Sequence, residues 1–280
     1  MVHRVALVVH PNRAEAAECA GKAAVFFREH GISVFFPQQN EAACSGENTV
    51  ILTFGGDGTL LIGAGYALQY HAPLLGINLG TVGFLTEGEP EQLSEMLHKL
   101  IEENYETEER RLLRVKVGDG RQTFLALNDA VVTRGGFARL IRVDARVNGE
   151  HLGTFTADGM IAATPTGSTG YALSAGGPIV APGVHCMIIA PVCPHSLQRS
   201  SFVVPDRSVI DFHLQANRTQ TAELQIDGRS CATLRAGDAV HITGADQTIQ
   251  LIRMKPYRFF IVTQKKLNEW SGSMEGGELI

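Results

Sequence analysis

The sequence predicts an α/β N-terminal domain with a parallel sheet, followed by a β-rich C-terminal domain. In the first hundred of its 280 residues, short apolar runs alternate with windows of helical spacing. Such alternation is typical of βαβ units, whose strands form a parallel sheet. From about Glu106, short strand-like runs separated by Gly, Asn-Gly and Asp-Gly follow one another, and long helical windows are nearly absent. We therefore assign residues 1–105 to the α/β domain and residues 106–255 to the β-rich domain.

Apolar periodicity gives the elements of the first domain. Buried strands are predicted at Val5–Val9, Ile32–Phe36, Thr49–Phe54 and Leu74–Ile77. Helices are predicted at Ala14–His30, which Gly31 follows as a stop signal, at Leu60–Gln69 and at Glu91–Glu103.

Strand-like runs and turn signals define the second domain. Asn148-Gly149 is typical of a two-residue hairpin turn between two strands. Strands are predicted at Arg111–Val117, Gln122–Leu127, Ala130–Thr133, Ile141–Val147, His151–Thr156, Met160–Ala163, Met187–Ile189, Val203–Val204, Val209–Leu214, Ala222–Ile226, Ala239–Ile242 and Ile249–Met254. The tail, residues 256–280, is predicted to pack back onto the first domain, because its large apolar side chains would not stay in solvent: Tyr257, Phe259, Phe260, Leu267 and Trp270.

Composition limits the classes of function. The net charge is −5 and no block of five or more like charges occurs, which argues against a nucleic-acid binder that relies on neutralising phosphates. No apolar stretch approaches the roughly 18 residues that a membrane span needs. The five cysteines are odd in number and form no Cys-x-x-Cys pair, which fits a reducing compartment. We expect a cytoplasmic protein that binds neither nucleic acid nor membranes.

The first candidate site is the run Gly-Gly-Asp-Gly-Thr at Gly55–Thr59, which follows an apolar strand and precedes a helix. Its glycines permit positive φ and leave no side chain between a nucleotide and the backbone. The start of the helix offers unpaired N–H groups to phosphates. Asp57 therefore stands beside a phosphate site, where a carboxylate can orient a metal, accept a proton or bind hydroxyls. The chain contains neither a P-loop nor a Gly-x-Gly-x-x-Gly turn after the first strand.

Three further clusters contain polar and glycine residues suited to a nucleotide. Gly76–Thr86 follows a strand and includes Asn78 and Phe84, whose ring is suited to stack on or wall a ligand. Asn128-Asp129 combines donors and acceptors that suit a purine edge or sugar hydroxyls. Asp158-Gly159 and the run Thr164–Pro178 supply hydroxyls, glycines and many backbone donors around the single Tyr171, which suits a polar ligand with a flat base.

Two groups of residues suggest chemistries other than nucleotide binding. Ser168 and Ser174 with His185 suggest a hydrolase, but the chain has no Gly-x-Ser-x-Gly elbow. Cys186, Cys193 and His195 suggest zinc, but their spacing matches no usual ligand pattern.

Taken together, the four clusters resemble those of bacterial NAD kinases, also called ATP-NAD kinases, in order and spacing from near residue 5 to beyond residue 230. The Gly-Gly-Asp-Gly element is shared with phosphofructokinases and diacylglycerol-type lipid kinases, whereas Thr-Pro-Thr-Gly-Ser-Thr at Thr164–Thr169 is far more specific to NAD kinases. The resemblance implies an NAD kinase / diacylglycerol kinase-like fold and a phosphotransferase with an alcohol group as acceptor. It also implies NAD as substrate, ATP as phosphoryl donor, a divalent cation such as Mg²⁺, and a homo-oligomer, dimer or tetramer.

The resemblance also implies roles for single residues. Asp57 would activate the 2′-hydroxyl of the adenosine ribose of NAD, Asp158 would contact the dinucleotide, and no residue is assigned as a metal ligand. The remaining expected substrate- or nucleotide-binding residues are Gly58, Phe84, Asn128, Asp129, Thr169, Gly170, Tyr171, Ala172, Leu173, Ser174 and Arg229.

The chain also departs from the family pattern. The family often has Asn-Glu where this chain has Asn128-Asp129, an Arg near Gly65, and a Gln where this chain has Arg229. Two alternatives stay open at this point. A lipid or sugar kinase would share the glycine–aspartate loop, and a non-catalytic dinucleotide sensor would use the same scaffold without transferring phosphate.

Overall fold

The chain divides into two compact units in the computed structural model, which describes residues 2–39, 48–80, 83–118, 120, 122–134, 140–195, 198–215 and 221–275. The first unit comprises residues 1–109 and 249–280, and the second comprises residues 110–248. Two strands, β5 (Glu106–Val117) and β16 (Ala239–Arg253), contain the boundaries, so the chain passes from one unit to the other within regular structure.

The first unit is an α/β structure. Its elements are β1 (Arg4–Val9), α1 (Ala14–Glu29), β2 (Ser33–Phe35), β3 (Thr49–Gly55), α2 (Asp57–Tyr70), β4 (Leu74–Asn78), α3 (Leu93–Ile101), the end of β16, and α5 (Phe259–Glu275). The strands lie in the order β2-β1-β3-β4-β16, and the neighbouring pairs are parallel. The predicted α/β fold with a parallel sheet is therefore confirmed.

Small residues bring the second helix close to the sheet. α2 begins at Asp57, three residues before the predicted start at Leu60, so the aspartate lies in the first helical turn. A methyl group at Gly63 would overlap the side chain of Thr53 on β3, so α2 can approach the strand only because this residue is glycine. This close packing fixes the N-terminal end of α2 against the end of β3.

The second unit is a β-rich structure with the elements β6 (Gln122–Ala126), β7 (Asp129–Thr133), β8 (Ile141–Val147), β9 (Glu150–Ala157), β10 (Gly159–Ala163), α4 (Tyr171–Ser174), β11 (Cys186–Val192), β12 (Phe202–Pro205), β13 (Ile210–Leu214), β14 (Thr221–Ile226), β15 (Arg229–Arg235), most of β5 and the start of β16. One sheet has the order β12-β11-β10-β7-β14-β15, and in this unit a second sheet has the order β16-β13-β8-β9. The pairs are antiparallel.

The two sheets of the second unit share one apolar core, to which Val132, Phe155 and Phe212 belong. The opposite face of β7, β10 and β11 is buried as well, in a second cluster that contains Ile161, Ile188 and, from α4, Ala172. Burial on both faces explains why β10 is apolar throughout rather than alternating. The covering segment on that second face is the glycine- and hydroxyl-rich run singled out in the sequence.

Three details differ from the sequence expectations. β16 is one continuous strand where two were predicted, and β15 was not predicted at all. In the tail, Phe259 is buried but Phe260 is 75% exposed, so the expectation that the aromatic side chains are covered is wrong for Phe260. The Asn148-Gly149 hairpin is confirmed: both residues have positive φ and join the antiparallel pair β8 and β9.

Candidate active site

The Gly-Gly-Asp-Gly-Thr run joins β3 to α2 in the first unit. Gly56 is the N-cap of α2 in extended conformation, and Asp57 is the first helical residue. None of the three glycines in this run has positive φ. The expectation that they are needed for a left-handed backbone is therefore wrong. Gly55 is selected by close approach instead, because a Cβ there would stand 2.8 Å from Cβ of Thr59. Gly58 is exposed at the start of the helix.

The carboxylate of Asp57 is held by three consecutive backbone amides of the loop after β4. Phe84 N donates to Oδ2 at 2.8 Å, while Leu85 N and Thr86 N donate to Oδ1 at 3.1 and 3.4 Å. The first two sequence clusters therefore meet at this side chain. Thr81 and Val82 of the second cluster lie outside the described residues.

Glycine is required beside this carboxylate. A Cβ at Gly83 would stand 2.9 Å from Cγ of Asp57 and closer still to its Oδ1. Phe84 is itself buried, with 8% of its surface exposed, so its backbone N–H is better placed than its ring to act on a ligand or on Asp57.

The other side of the same loop is bound by the C-terminal part of the unit. Tyr257 Oη donates to the carbonyl of Phe84 at 3.0 Å, and Arg253 Nη1 donates to the carbonyl of Leu85 at 3.2 Å. Arg253 also forms an ion pair with Glu87 at 2.6 Å. The loop is thus fixed between Asp57 on one side and the last residue of β16 with the segment that follows it on the other.

Two carboxylates share the buried guanidinium of Arg253. Its Nε donates to Glu108 Oε2 at 2.7 Å, its Cζ lies 4.1 Å from the centroid of the Tyr257 ring, and only 2% of the side chain is exposed. Burial raises the pKa of Glu87 above its ordinary value, although the ion pair with Arg253 opposes this shift. Breaking such a pair would leave an uncompensated buried charge, so the arrangement favours a single loop conformation.

In the second unit, the segment Leu127–Asp129 connects β6 to β7 and joins the remaining clusters. The carboxylate of Asp227, in the turn between β14 and β15, accepts hydrogen bonds from the backbone N–H groups of Leu127, Asn128 and Asp129 at 2.9, 2.7 and 3.1 Å. The buried Oδ1 of Asn128 has no hydrogen-bond partner in the part of the chain that the structure describes. An acceptor of this kind is available to a ligand.

The Thr-Pro-Thr-Gly-Ser-Thr run packs directly against the same segment. Thr164 Oγ1 donates to the carbonyl of Leu127 at 2.6 Å, and Thr164 N donates to the carbonyl of Asn128 at 2.9 Å. A Cβ at Gly167 would lie within 3.0 Å of backbone atoms of Asn128, so only glycine permits this approach. The third and fourth clusters are therefore brought together.

Asp129 is a buried carboxyl group, 6% exposed. Burial, together with the neighbouring Asp227 carboxylate, raises its pKa to about 7. Burial also raises the pKa of Asp227, against the opposing effect of the three backbone hydrogen bonds and of Arg229. The two carboxyl groups form an electrostatically costly pair, which is typical of a site under functional constraint.

The remaining predicted residues surround this segment in different ways. Tyr171 exposes 45% of its surface, whereas Ala172 is fully buried in the apolar cluster, so it can offer a ligand only its backbone. Thr169, Gly170 and Leu173 are partly buried, and Ser174 is exposed.

Asp158 and Arg229 occupy more exposed positions. Asp158 is paired with Arg134 at 2.9 Å, with about a third of each side chain exposed. Arg229 is exposed at the start of β15.

The hydroxyl of Ser168 is not available for nucleophilic chemistry. The side chain is fully buried and its Oγ donates to the carbonyl of Pro165 at 2.6 Å and accepts from Val180 N at 3.0 Å. Ser168 therefore closes the loop internally, which agrees with setting the hydrolase hypothesis aside.

Comparisons with known proteins identify the family of the chain. The profile of the ATP-NAD kinase N-terminal domain matches residues 41–105, and that of the ATP-NAD kinase C-terminal domain matches residues 127–254. An NAD kinase of Moorella thermoacetica is 42% identical over 230 residues, which cover 81% of this chain and 73% of the relative. An NAD kinase of Desulforamulus reducens is 33% identical over 289 residues, which cover 98% of this chain and all of the relative. The chain belongs to the NAD kinase family.

Solved structures of similar proteins have the same fold. An NAD kinase from Archaeoglobus fulgidus in complex with ATP matches 96% of this chain and 99% of its own at a TM-score of 0.71 and 27% identity. A yeast NADH kinase complexed with NADH matches 95% of this chain and 88% of its own at a TM-score of 0.83. At 24% identity, the second likeness concerns the fold.

The divalent cation that the resemblance implies would find few ligands among the described side chains of this NAD kinase family member. Among the described residues, no group of three or more His, Cys, Asp or Glu side chains is arranged to hold a metal ion. Mg²⁺ in kinases is usually bound by one or two carboxylates together with phosphate oxygens and water, so a dedicated protein cage is not required. Three backbone amides occupy three of the roughly four lone-pair sites of the Asp57 carboxylate, so this side chain offers at most one further contact, and a cation would be held mostly by the triphosphate.

Sequence reasoning missed three residues that hold the candidate clusters of this NAD kinase family member in place. Asp227 was noted only as the neighbour of Arg229, and Arg253 and Tyr257 were assigned no role. The turn signal Asp227-Gly228 was visible in the sequence, but nothing local indicates that its carboxylate reaches residues 98–100 positions away.

In the described part of the chain, no helix has both the length and the apolar character to cross a membrane.

Proposed function

We propose that the protein transfers the γ-phosphoryl group of ATP to the 2′-hydroxyl of the adenosine ribose of NAD, giving NADP, and that Asp57 receives the hydroxyl proton. Membership of the NAD kinase family supports the reaction. The observation that carries the role of Asp57 is its carboxylate, fixed by the amides of Phe84, Leu85 and Thr86 at the N-terminal end of α2.

Phosphoryl transfer depends on alignment and charge neutralisation more than on covalent help from the protein. A carboxylate that is already held by three backbone donors loses little conformational freedom when a hydroxyl approaches, so its orientation is fixed before substrate binds. The proton leaves the ribose hydroxyl for an oxygen of Asp57 as the bond from the hydroxyl oxygen to phosphorus forms and ADP departs. A divalent cation, Mg²⁺ by our proposal, would neutralise triphosphate charge when bound.

The second unit supplies the residues proposed to hold NAD. Asn128 offers a buried Oδ1 that has no hydrogen-bond partner among the described residues, and Asp129 lies beside it as a hydroxyl acceptor. The exposed ring of Tyr171 suits stacking against a base. The other proposed contacts, which follow the family pattern, are Gly58, Phe84, Asp158, Thr169, Gly170, Ala172, Leu173, Ser174 and Arg229.

The decisive experiment compares Asp57→Asn with wild type. With its amide oxygen at the Oδ1 position, Asn keeps the bonds from Leu85 and Thr86 and loses only the bond from Phe84, so the fold should persist. Loss of a general base typically costs 10²–10⁴-fold, so we expect kcat for NADP formation to fall by about that factor while NAD binding by calorimetry changes little.

The matched control is Asp246→Asn, an exposed aspartate that pairs with Arg114 at 2.9 Å. It should leave kcat unchanged. Near-wild-type turnover of Asp57→Asn would remove this residue from the mechanism. ATP consumption with diacylglycerol or sugar phosphates in place of NAD would instead favour a lipid or sugar kinase, and NAD binding without ADP release would indicate a sensor.

Assembly and location are also part of the proposal. The family resemblance supports a cytoplasmic homo-oligomer, a dimer or tetramer. Light scattering coupled to gel filtration measures the subunit number directly, and a monomeric mass at assay concentration would contradict the proposed assembly.

A further inference from the structure

One partly buried carboxylate, that of Asp227, lies outside the proposed set of ligand-binding residues but holds two of them. Asp227 accepts hydrogen bonds from the N–H groups of Leu127, Asn128 and Asp129, and its own N–H donates to the carbonyl of Asp129 at 3.0 Å. Four hydrogen bonds thus join the β14–β15 turn to a segment of three residues. While these bonds are made, the backbone of Leu127–Asp129 cannot rotate freely.

The same segment determines where two proposed ligand groups point. The side chains of Asn128 and Asp129 leave adjacent residues whose N–H groups both donate to Oδ1 of Asp227, at 2.7 and 3.1 Å. A rotation of either peptide plane would break a charge-assisted bond and swing the attached side chain. Such bonds are stronger than bonds between neutral groups.

We propose that Asp227 is a positioning residue for NAD binding, which sets the direction of the Asn128 amide and the Asp129 carboxyl through the backbone N–H groups of their segment. This inference rests on the proposed function, because it takes Asn128 and Asp129 as ligands of NAD. Asp227 itself touches no substrate in this account and acts only through its neighbours.

The electrostatic cost of the arrangement supports a functional reason for it. Burial and the Asp227 carboxylate together raise the pKa of Asp129, so an aspartate at position 227 makes the adjacent ligand group harder to ionise. A neutral turn residue at position 227 would form the hairpin without this cost. The carboxylate is explained by its three acceptor contacts rather than by turn formation.

The turn chemistry permits a test that preserves the fold. Asp227 has a φ of 48° and precedes Gly228 with a φ of 78°, a pair for which Asn-Gly and Gly-Gly are favoured sequences. Asp227→Asn keeps the turn and, with its oxygen at the Oδ1 position, the bonds from Asn128 and Asp129. Asp227→Gly keeps the turn and removes all three acceptor contacts.

We would measure KM for NAD, KM for ATP and kcat for both variants, with NADP formation as the signal. We expect KM for NAD to rise by roughly tenfold or more in Asp227→Gly and by a smaller factor in Asp227→Asn, as expected from the loss of charge-assisted bonds. KM for ATP and kcat at saturating NAD should change by less than about twofold if the effect is confined to NAD positioning. The matched control is Asp238→Asn, because Asp238 also accepts a turn amide, that of Arg235 at 2.7 Å.

The outcomes separate this inference from its premises. A purely structural role would reduce the active fraction, which lowers apparent kcat and leaves KM for NAD unchanged, and that result would overturn the proposal. Equal KM values for NAD in wild type and Asp227→Gly would do so as well. If wild type itself forms no NADP, the proposed function fails first, and the variants are not needed to show it.

Discussion

A methyl group at Gly83 should displace the carboxylate of Asp57 without disturbing the sheet beneath it. Gly83→Ala would put a Cβ 2.9 Å from Cγ of Asp57, and closer still to Oδ1 of Asp57 and Oγ1 of Thr86. The end of a flexible side chain can usually move away from such a contact. Here the carboxylate is bonded to the amides of Phe84 and Leu85, so moving it breaks those bonds.

The size of the effect follows from the distances. Ordinary Cβ contacts begin at 3.4 Å, so Cγ must retreat by half an ångström and the nearer Oδ1 by more. A misplacement of about 1 Å at a reacting group can cost on the order of 100-fold in rate. We therefore expect kcat of Gly83→Ala to fall by roughly 30- to 300-fold, with KM for NAD nearly unchanged because the residues proposed to hold NAD belong to the second unit.

The assay is steady-state NADP formation at saturating ATP, with thermal unfolding measured on the same samples. Gly21→Ala on α1 is the matched control, because no atom lies within 4 Å of a Cβ at that position. It should match wild type in kcat and equal or exceed it in stability. A folded Gly83→Ala protein with kcat within twofold of wild type would refute the view that the loop amides fix the catalytic carboxylate.

Two further substitutions test neighbouring contacts. Tyr257→Phe removes the hydrogen bond to the carbonyl of Phe84, so kcat should fall about two- to tenfold when Asp57 is present. In an Asp57→Asn background the same substitution should leave kcat unchanged. A further fall there would contradict positioning through Asp57. Asp129→Asn tests the buried acid: a folded-state pKa of about 7 means that the native state binds more protons than the unfolded state between about pH 4 and pH 7, so wild-type stability falls as pH rises through that window. The free energy of unfolding of Asp129→Asn, measured with urea, should exceed that of wild type by an amount that grows across this window and reaches up to about 4 kcal/mol at pH 8. With Asp227 left intact, a difference that does not change with pH would show that Asp129 is not the titrating group.

The fold was largely predictable because its signals are local. Apolar runs and helical spacing identified β1, β3, β4 and α1 within one or two residues. The start of α2 was missed by three residues because Gly58, in its first turn, depresses helix propensity. β15 was missed because its exposed, polar sequence has little periodicity.

The candidate site was predictable only as far as its motifs are contiguous. Asp57 lies in a run whose glycines mark it as unusual, whereas Asn128-Asp129 acquired a role only through the family resemblance. The residues that hold those runs in place, Asp227, Arg253 and Tyr257, act at separations of 98 to 173 positions and in otherwise ordinary sequence. No periodicity or turn rule encodes a contact at such a distance, so these partners emerge only from the packed structure.

Asp57 and Asp227 provide a comparison in which the chemistry of the substitution is held constant. Each carboxylate accepts three consecutive backbone N–H groups, with two of the bonds on Oδ1 and one on Oδ2. Changing either residue to Asn therefore removes the same kind of bond and one negative charge. If both residues were only structural, the two variants should show the same kinetic defect. If Asp57 receives the proton and Asp227 positions ligands, Asp57→Asn should lower kcat with little change in KM for NAD, and Asp227→Asn should raise KM for NAD with little change in kcat.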